Sequence, residues 1–443
     1  MQKLLDSFEN FAQNIALIDA NKSYTYAELA AKIDELLTLL QTKGVLQGDV
    51  AAVLGEYSFE NIALFLALAK NKNIIVPVTT MPQDEVNERI EVAQVDVVLY
   101  FENGLEAVQR PKGQKHPMIR SLQKQNASGL VLFSSGSTGK PKAMVHNFDN
   151  LLRRYENKRP KKIHMLLFLM FDHIGGLNSL LNILSTGASG VISKKREVEE
   201  VCLLIQTHKI KVLPASPTFL NMLLMSDAAK EYDLSSLRMI TYGTEAMPQS
   251  LLKRLKDTFT KVKLLQTFGT SETGIANTAS KSSDSIYMKI DDKDLEYKIV
   301  KGELWLKSKT QVLGYLNASM DCFEKGWFKT GDLVEELEDG YLKIKGRNKE
   351  VINVGGQKVL PSEVESAILE LEQFKDVLVS GENNAITGQS VCAKVVCENL
   401  GDKEAKKLIR GHLKHRLEAF KIPTKVEVVE SLGHSSRFKK VRG

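Results

Sequence analysis

The stretch LVLFSSGSTGKPKAMVH, residues 130–146, has the composition of an anion cradle. Ser134, Ser135, Ser137 and Thr138 offer hydroxyl donors, Gly136 and Gly139 free the backbone to wrap a phosphate, and Lys140 and Lys142 supply charge. It is not a P-loop. That motif needs glycine where Ser134 stands and Ser or Thr where Pro141 stands, and it opens a helix, whereas Leu130–Phe133 and Ala143–Val145 are apolar runs of strand type. The spacing predicts a strand, a loop and a second strand.

Four further stretches carry chemistry of the same kind. QTFGTSET (266–273) ends a strand and sets Phe268 beside a turn glycine, where an aromatic ring can stack on a base; Glu272 beyond it can hold Mg2+ near a triphosphate. WFKTGDL (327–333) presents Asp332 just after a glycine, where one carboxylate can accept both ribose hydroxyls. GRNKEVINVGGQKVLPSEVE (346–365) and the lysine pair of SSRFKKVR (435–442) follow. Each stretch alone is also ordinary turn chemistry: a flexible Gly/Ser loop, a buried Phe beside an exposed Glu, an Asp after Gly.

The elements that must position these residues alternate. Leu29, Ile33, Leu37 and Leu40 recur at helical spacing up to Gly44, and VAAVLGE and IIVPV read as buried strands around a helix that includes Ile62–Ala69. GASGVIS, KIKVLPAS, LRMITYG and KVKLLQTFG continue the alternation, which predicts a large, layered N-terminal α/β domain with a mostly parallel sheet. From about residue 286 to 344 short strands and turns predict a small β subdomain. After GRNKEV the pattern restarts, with a helix over 363–371, strands at DVLVSG and SVCAKVVC, and a helix carrying Leu408, Ile409, Leu413, Leu417 and Phe420. That second unit reads as a small α+β domain, so the expected division is 1–348 and 349–443.

Composition narrows the class. A chain of 443 residues with 43% hydrophobic content can bury a large core. The apolar-rich run Ile163–Phe171 is too short for a bilayer, and Asp6 and Glu9 interrupt any secretory signal, so a cytoplasmic protein without a transmembrane segment is expected. Cys202, Cys322, Cys392 and Cys397 are scattered and indicate neither a zinc site nor a disulfide framework; His412 and His415 read as residues of a solvated helix face. From residue 401 onward there are twelve Lys or Arg against five Asp or Glu, so the net charge of +6 belongs to the C-terminal end. No aromatic interleaving accompanies it, which argues against nucleic acid and for a lid that closes on phosphates.

The ordered set GSTGKPKA, FDHIGG, YGTEAMP, QTFGTSET, KTGDL, GRNKEVINVGGQKVLPSEVE and a terminal lysine resembles the adenylate-forming superfamily of acyl-CoA synthetases, amino-acid adenylation domains and firefly luciferase. The resemblance implies that Ser134–Lys140 and Lys142 grip the phosphates of ATP, and that Gly243, Thr244 and Glu245 lie beside the adenine. Gln266, Thr267, Phe268, Gly269, Thr270 and Ser271 complete the nucleotide site, with Phe268 on the ring. Glu272 binds Mg2+, Asp332 takes the ribose hydroxyls and Arg347 supports them. Lys349 matches the hinge. Gly355 and Gly356 match the loop along the pantetheine path of CoA. Lys439, with Lys440 as runner-up, matches the lysine that bridges substrate carboxylate and α-phosphate, and His173 joins Lys439 and Glu272 among the catalytic residues.

The implied activity is ATP-dependent activation of a carboxylic acid to an acyl-adenylate, then transfer to a thiol, with CoA favoured, an acyl carrier protein as the alternative, and fatty acid metabolism as the setting. A degenerate ATP-binding protein is the non-enzyme alternative. Asp172 could pair with the ammonium of an amino acid, but Gly175 and Gly176 are expected to leave an uncharged groove, which favours an acid without an α-amine. Four departures stand out: Ala143 replaces a common Gly, Gly433 a common Pro, Ser435 a common Thr, and Phe438 the Gly before the lysine.

Overall fold

The computed structural model describes residues 1–134, 141–435 and 438–440. Two seven-stranded sheets form the bulk of the chain. The first runs, in spatial order, through strands 263–266, 239–242, 212–215, 164–167, 189–192, 15–19 and 22–25. The second runs through 314–315, 142–147, 129–134, 74–78, 50–54, 97–101 and 105–109. Both are parallel at the centre and antiparallel at an edge. Such sheets need cover on both faces. The helix Phe59–Lys70 supplies it and is buried at every position from Asn61 to Ala69. A helix that is apolar all round has to lie inside.

The helix Tyr26–Thr42 follows the expected pattern. It opens on a capping box in which the Thr25 hydroxyl accepts the Glu28 N–H at 3.1 Å and the Glu28 carboxylate accepts the Thr25 N–H at 2.6 Å. Leu29, Ile33, Leu36 and Leu40 are buried, while Leu37 is partly buried at the edge of the stripe. Together with Phe65, Leu177, Leu181 and Leu184 they form a single core that touches both sheets. Burying each such side chain contributes on the order of 2 kcal/mol.

A third sheet, built from strands 278–280, 288–290, 342–347, 327–336, 303–308 and 295–300, is the small β unit. Beyond it, strands 352–354, 357–359, 374–384, 388–397 and 425–428 form a five-stranded sheet covered by helices Pro361–Ile368 and Asp402–Leu413. The last helix stops at Leu413, earlier than its apolar spacing predicts. Leu417 and Phe420 still pack on the same core from the turn that follows. His412 also departs from expectation, because its Nε2 lies 3.1 Å from the Ala367 carbonyl and 3.2 Å from Glu370, tying the two helices together.

Among the described residues no helix is long and apolar enough to cross a membrane. All four cysteines are free, with Cys202 and Cys392 buried.

Candidate active site

In open α/β sheets ligands bind beyond the carboxyl ends of the strands. Ser134, Gly243 and Thr267 stand at such ends. Ser134 ends strand 129–134 and pairs in register with Lys142, the first residue of the returning strand. Both expected strands are present. Ser135, Gly136, Ser137, Thr138, Gly139 and Lys140 lie outside the described residues. Gly243 follows strand 239–242 and Thr267 follows strand 263–266, and a Cβ added at Gly243 would sit 2.6 Å from the Thr267 carbonyl oxygen. Two backbones can approach this closely only through glycine. Thr244 then takes a left-handed φ of +73°, a strained conformation for a β-branched residue at the mouth of the crevice.

Phe268 and Gly269 lie on a hairpin with residues 274–276, and Phe268 packs its inner side on the core of the small β unit. The hairpin turn is fixed by the Thr270 and Thr273 hydroxyls, 3.0 Å apart, and by the Glu272 carbonyl accepting the Val312 N–H at 2.8 Å. Ser271 and Glu272 are thus held out at its tip. The Tyr315 hydroxyl donates to Glu272 Oε1 at 2.9 Å and lies 3.5 Å from Cys322 Sγ. Burial, then the Glu272 charge, raises the phenol far above its ordinary range, so it stays a donor. Among the described residues no cluster of three or more His, Cys, Asp or Glu is placed to hold a metal. One fixed carboxylate fits Mg2+, which takes the rest of its ligands from phosphates and water.

Asp332 faces Arg347 across strands 327–336 and 342–347, and Arg347 Nε donates to Asp332 Oδ1 at 3.1 Å. Burial raises the Asp332 carboxyl above its ordinary value, and the charges of Arg347 and Lys439 pull it back. Asp332 is buried, whereas the Arg347 side chain is 42% exposed.

The two terminal lysines separate cleanly. Lys440 Nζ is committed to Asp376 Oδ1 and the Val377 carbonyl, both at 2.7 Å, and its N–H donates to Glu245 Oε1 at 2.9 Å. Lys439 instead lines a cavity of ≈ 30 Å³ with Phe168, Met170, His173, Arg196, Ser216 and Thr244. Glu245 holds the Thr218 hydroxyl at 2.7 Å with its other oxygen. His173 caps helix Ile174–Thr186, its Nδ1 accepting the Gly175 N–H at 3.2 Å, so in the neutral ring Nε2 carries the proton.

Two neighbours of His173 serve the packing around it, and only Gly176 differs from expectation. Asp172 is buried and paired with Arg89 Nη1 at 3.1 Å, so it is occupied by an internal cation rather than presented to an ammonium. A Cβ at Gly176 would lie 2.0 Å from the Met170 carbonyl oxygen; this glycine serves backbone packing and leaves no groove. Asp172→Ala is therefore expected to lower stability by about 2 kcal/mol, because a charge-assisted bond is lost and Arg89 is left without it. The preferred acid stays the same. Urea melts and an acid panel check both halves; a changed acid preference would refute the second.

His146 lies buried on strand 142–147 beneath the Glu272 turn, and burial pushes its imidazole down to about 4 while the Ser271 backbone acts in the opposite sense. The folded pKa lies below the unfolded value of 6.5, so the folded state disfavours the proton and stability falls as pH drops from 6.5 towards 4. This one group is expected to cost about 2 kcal/mol between pH 7 and pH 5. His146→Gln should flatten that part of the profile in denaturant titrations.

Tyr315, Arg89, Arg196 and Glu56 were not singled out in the sequence. Arg196 donates to Glu56 at 2.7 Å and to the Phe168 carbonyl at 3.2 Å. Partners 140 residues apart leave no local signature.

The profile of the AMP-binding enzyme family matches residues 4–316, and that of the AMP-binding enzyme C-terminal domain matches residues 363–439. The chain belongs to the AMP-binding enzyme family. Among relatives of this AMP-binding enzyme are an indoleacetate–CoA ligase of Aromatoleum aromaticum, 27% identical over 93% of this chain and 90% of the relative, and a 2-succinylbenzoate–CoA ligase of Bacillus licheniformis, 26% identical over 97% and 95%. A solved anthranilate CoA ligase in complex with anthranoyl-AMP shares the fold, with a TM-score of 0.84, 20% identity and coverage of 99% of this chain and 95% of that one. The AMP-binding enzyme is thus an AMP-forming acid–thiol ligase.

Proposed function

We propose that this protein is an acyl-CoA synthetase in which Lys439 drives adenylation, Glu272 holds Mg2+ and Asp332 with Arg347 anchors the ribose. The observation that carries this reading is the placement of Lys439. It lines the small cavity with His173 and Thr244, and its charge reaches Asp332. A cation at the meeting point of an acid pocket and a ribose anchor is where carboxylate and α-phosphate have to meet.

In the first step a carboxylate oxygen attacks the α-phosphorus and the bond to the β-phosphate breaks, releasing pyrophosphate. Both reactants are anions, so their approach needs positive charge fixed in advance. Lys439 supplies it from the protein. When bound, Mg2+ would neutralise the phosphate oxygens, with Glu272 as its protein ligand. Ser134, Lys142 and the segment Ser135–Lys140 would hold the β- and γ-phosphates. Thr244, Glu245 and Phe268 would flank the adenine. In the second step a thiolate sulfur attacks the acyl carbonyl and AMP leaves.

The division at residues 348 and 349 is proposed as the point at which the C-terminal unit turns between the steps, with Lys349 in the short helical turn Asn348–Glu350. Gly355 and Gly356 have φ of +58° and +85° in the turn between strands 352–354 and 357–359. A side chain there is strained before any pantetheine arrives, so Gly356→Asn, which tolerates such a φ, is the proper probe. It should keep pyrophosphate release and slow thioester formation about tenfold or more, as one obstructed contact does. Equal loss of both steps would remove these glycines from the thiol path.

CoA is the proposed acceptor, since CoA ligases run along nearly the whole chain. The gramicidin S synthase 2 of Brevibacillus brevis matches as well, but over 10% of its own length. The reaction is proposed to run in the cytoplasm. Pyrophosphate release across a panel of carboxylic acids, followed by CoA or a holo carrier protein as acceptor, tests the reading. Acylation of the carrier alone would sink the CoA assignment and leave adenylation standing.

A further inference from the structure

Phe438 stands where the resemblance leads one to expect glycine, and the backbone has kept the glycine conformation, with φ at +48°. An aromatic residue held in a left-handed conformation is strained and persists only where its surroundings compensate. Here they do. The residue is 9% exposed, its ring packs against Phe168 and Phe219 with centroids 5.5 Å and 5.2 Å away, and the Phe438 carbonyl accepts the Ser216 hydroxyl at 2.8 Å. Phe168, Ser216 and Phe438 are also walls of the cavity that holds Lys439 and His173. The side chain therefore comes from the segment that carries Lys439 but sits inside the core of the first sheet.

This position fixes how much room an acid has beyond its carboxylate. The cavity is ≈ 30 Å³, space for about two water-sized groups, whereas sites for drug-sized ligands run from about 300 Å³ upward. Arg196 also lines it, with its guanidinium already engaged by Glu56 and the Phe168 carbonyl. A charged tail would meet a cation that has been neutralised. The apolar part of the wall is Phe168, Leu169, Met170 and Phe438.

Resting on the adenylation reading above, we propose that Phe438 is a specificity-determining residue: it forms the movable wall of the acid pocket and restricts the enzyme to short monocarboxylic acids. Size selection is then made when the Lys439 segment docks, in the same movement that brings the lysine to the carboxylate. A long tail would keep Phe438 from its seat beside Phe168 and Phe219 and so hold Lys439 away from the reacting atoms. Exclusion acts on adenylation itself.

The test is pyrophosphate release by the full-length enzyme with straight-chain acids from two to ten carbons, plus benzoate and malonate, for wild type, Phe438→Gly and Phe438→Leu. Wild type should favour acids of about four carbons or fewer, consistent with a cavity of roughly two groups. Phe438→Gly relieves the strained φ, opens the wall, and should raise the relative kcat/KM of longer acids by roughly fourfold for each methylene newly admitted. Phe438→Leu should fall between the two and covers the case in which the glycine variant folds poorly.

A wild-type preference for acids of eight carbons or more, for benzoate or for malonate would overturn the proposal and leave adenylation intact. An unchanged length profile in both variants would overturn the wall. If wild type released pyrophosphate with no acid on the panel, the adenylation reading itself would fail.

Discussion

Lys439→Ala is expected to slow acyl-adenylate formation by about 2–4 kcal/mol, roughly 30- to 1,000-fold, the range for removing one preorganised donor from a site of developing charge. Thioester formation from supplied acyl-adenylate should survive, because the lysine acts on the first step. Lys440→Ala separates position from charge. It removes a cation one residue away, but that cation is bound to Asp376 and the Val377 carbonyl inside the C-terminal sheet. Its effect should appear as lost stability with a modest loss of rate. Single-turnover pyrophosphate release for both variants checks this, and a larger adenylation defect in Lys440→Ala would shift the assignment by one residue.

Asp332→Ala should raise the KM for ATP about 100-fold, since two hydroxyl contacts to a carboxylate are worth about 3 kcal/mol together. The fold should tolerate the change, because Arg347 is 42% exposed and can return to water. Arg347→Ala is the asymmetric partner. It leaves Asp332 buried without its first compensating charge, so the carboxyl, already raised by burial, rises further. A carboxyl raised in the folded state favours folding at low pH. Its contribution is present below the unfolded value of 3.8 and is lost as pH climbs through the folded value. Thermal midpoints of Arg347→Ala should therefore fall further behind wild type at pH 7 than at pH 4. ATP titrations and melts at the two pH values test the pair, and an unchanged KM in Asp332→Ala would remove it from the ribose site.

What could be read from the sequence divides by range. Strands such as 74–78 and 50–54 announce themselves as short apolar runs, and the helix over Tyr26–Thr42 by Leu29, Ile33 and Leu40. Local periodicity reports local burial. Leu417 and Phe420 show the limit of that rule: their spacing continues a helix that has ended at Leu413, since a turn can bury the same side chains on the same core. The site was legible where one motif holds its own geometry, as in the register of Ser134 with Lys142 and Asp332 with Arg347. It was not legible where chemistry depends on a distant partner. Nothing near Asp172 foretells Arg89, 83 residues earlier, and the choice between Lys439 and Lys440 turns on Asp376. Phe438 was visible as a departure from pattern, but its meaning lies with Phe168 and Phe219.

On the proposed turn of the C-terminal unit between the two steps, the seating of Phe438 also ties the second half-reaction to the solvent. For the Lys439 segment to leave, a buried aromatic ring must pass into water, and the bonds from Ser216 to the Phe438 carbonyl and from the Lys440 N–H to Glu245 must open. Exposure of apolar surface is opposed by excluded salts such as sulfate and eased by dilute urea. Thioester formation is accordingly the step favoured by a solution that wets an aromatic side chain, while adenylation, which needs the ring docked, is favoured by the excluded salts that oppose its exposure. Two half-reactions in one crevice thereby acquire opposite responses to the same change of medium.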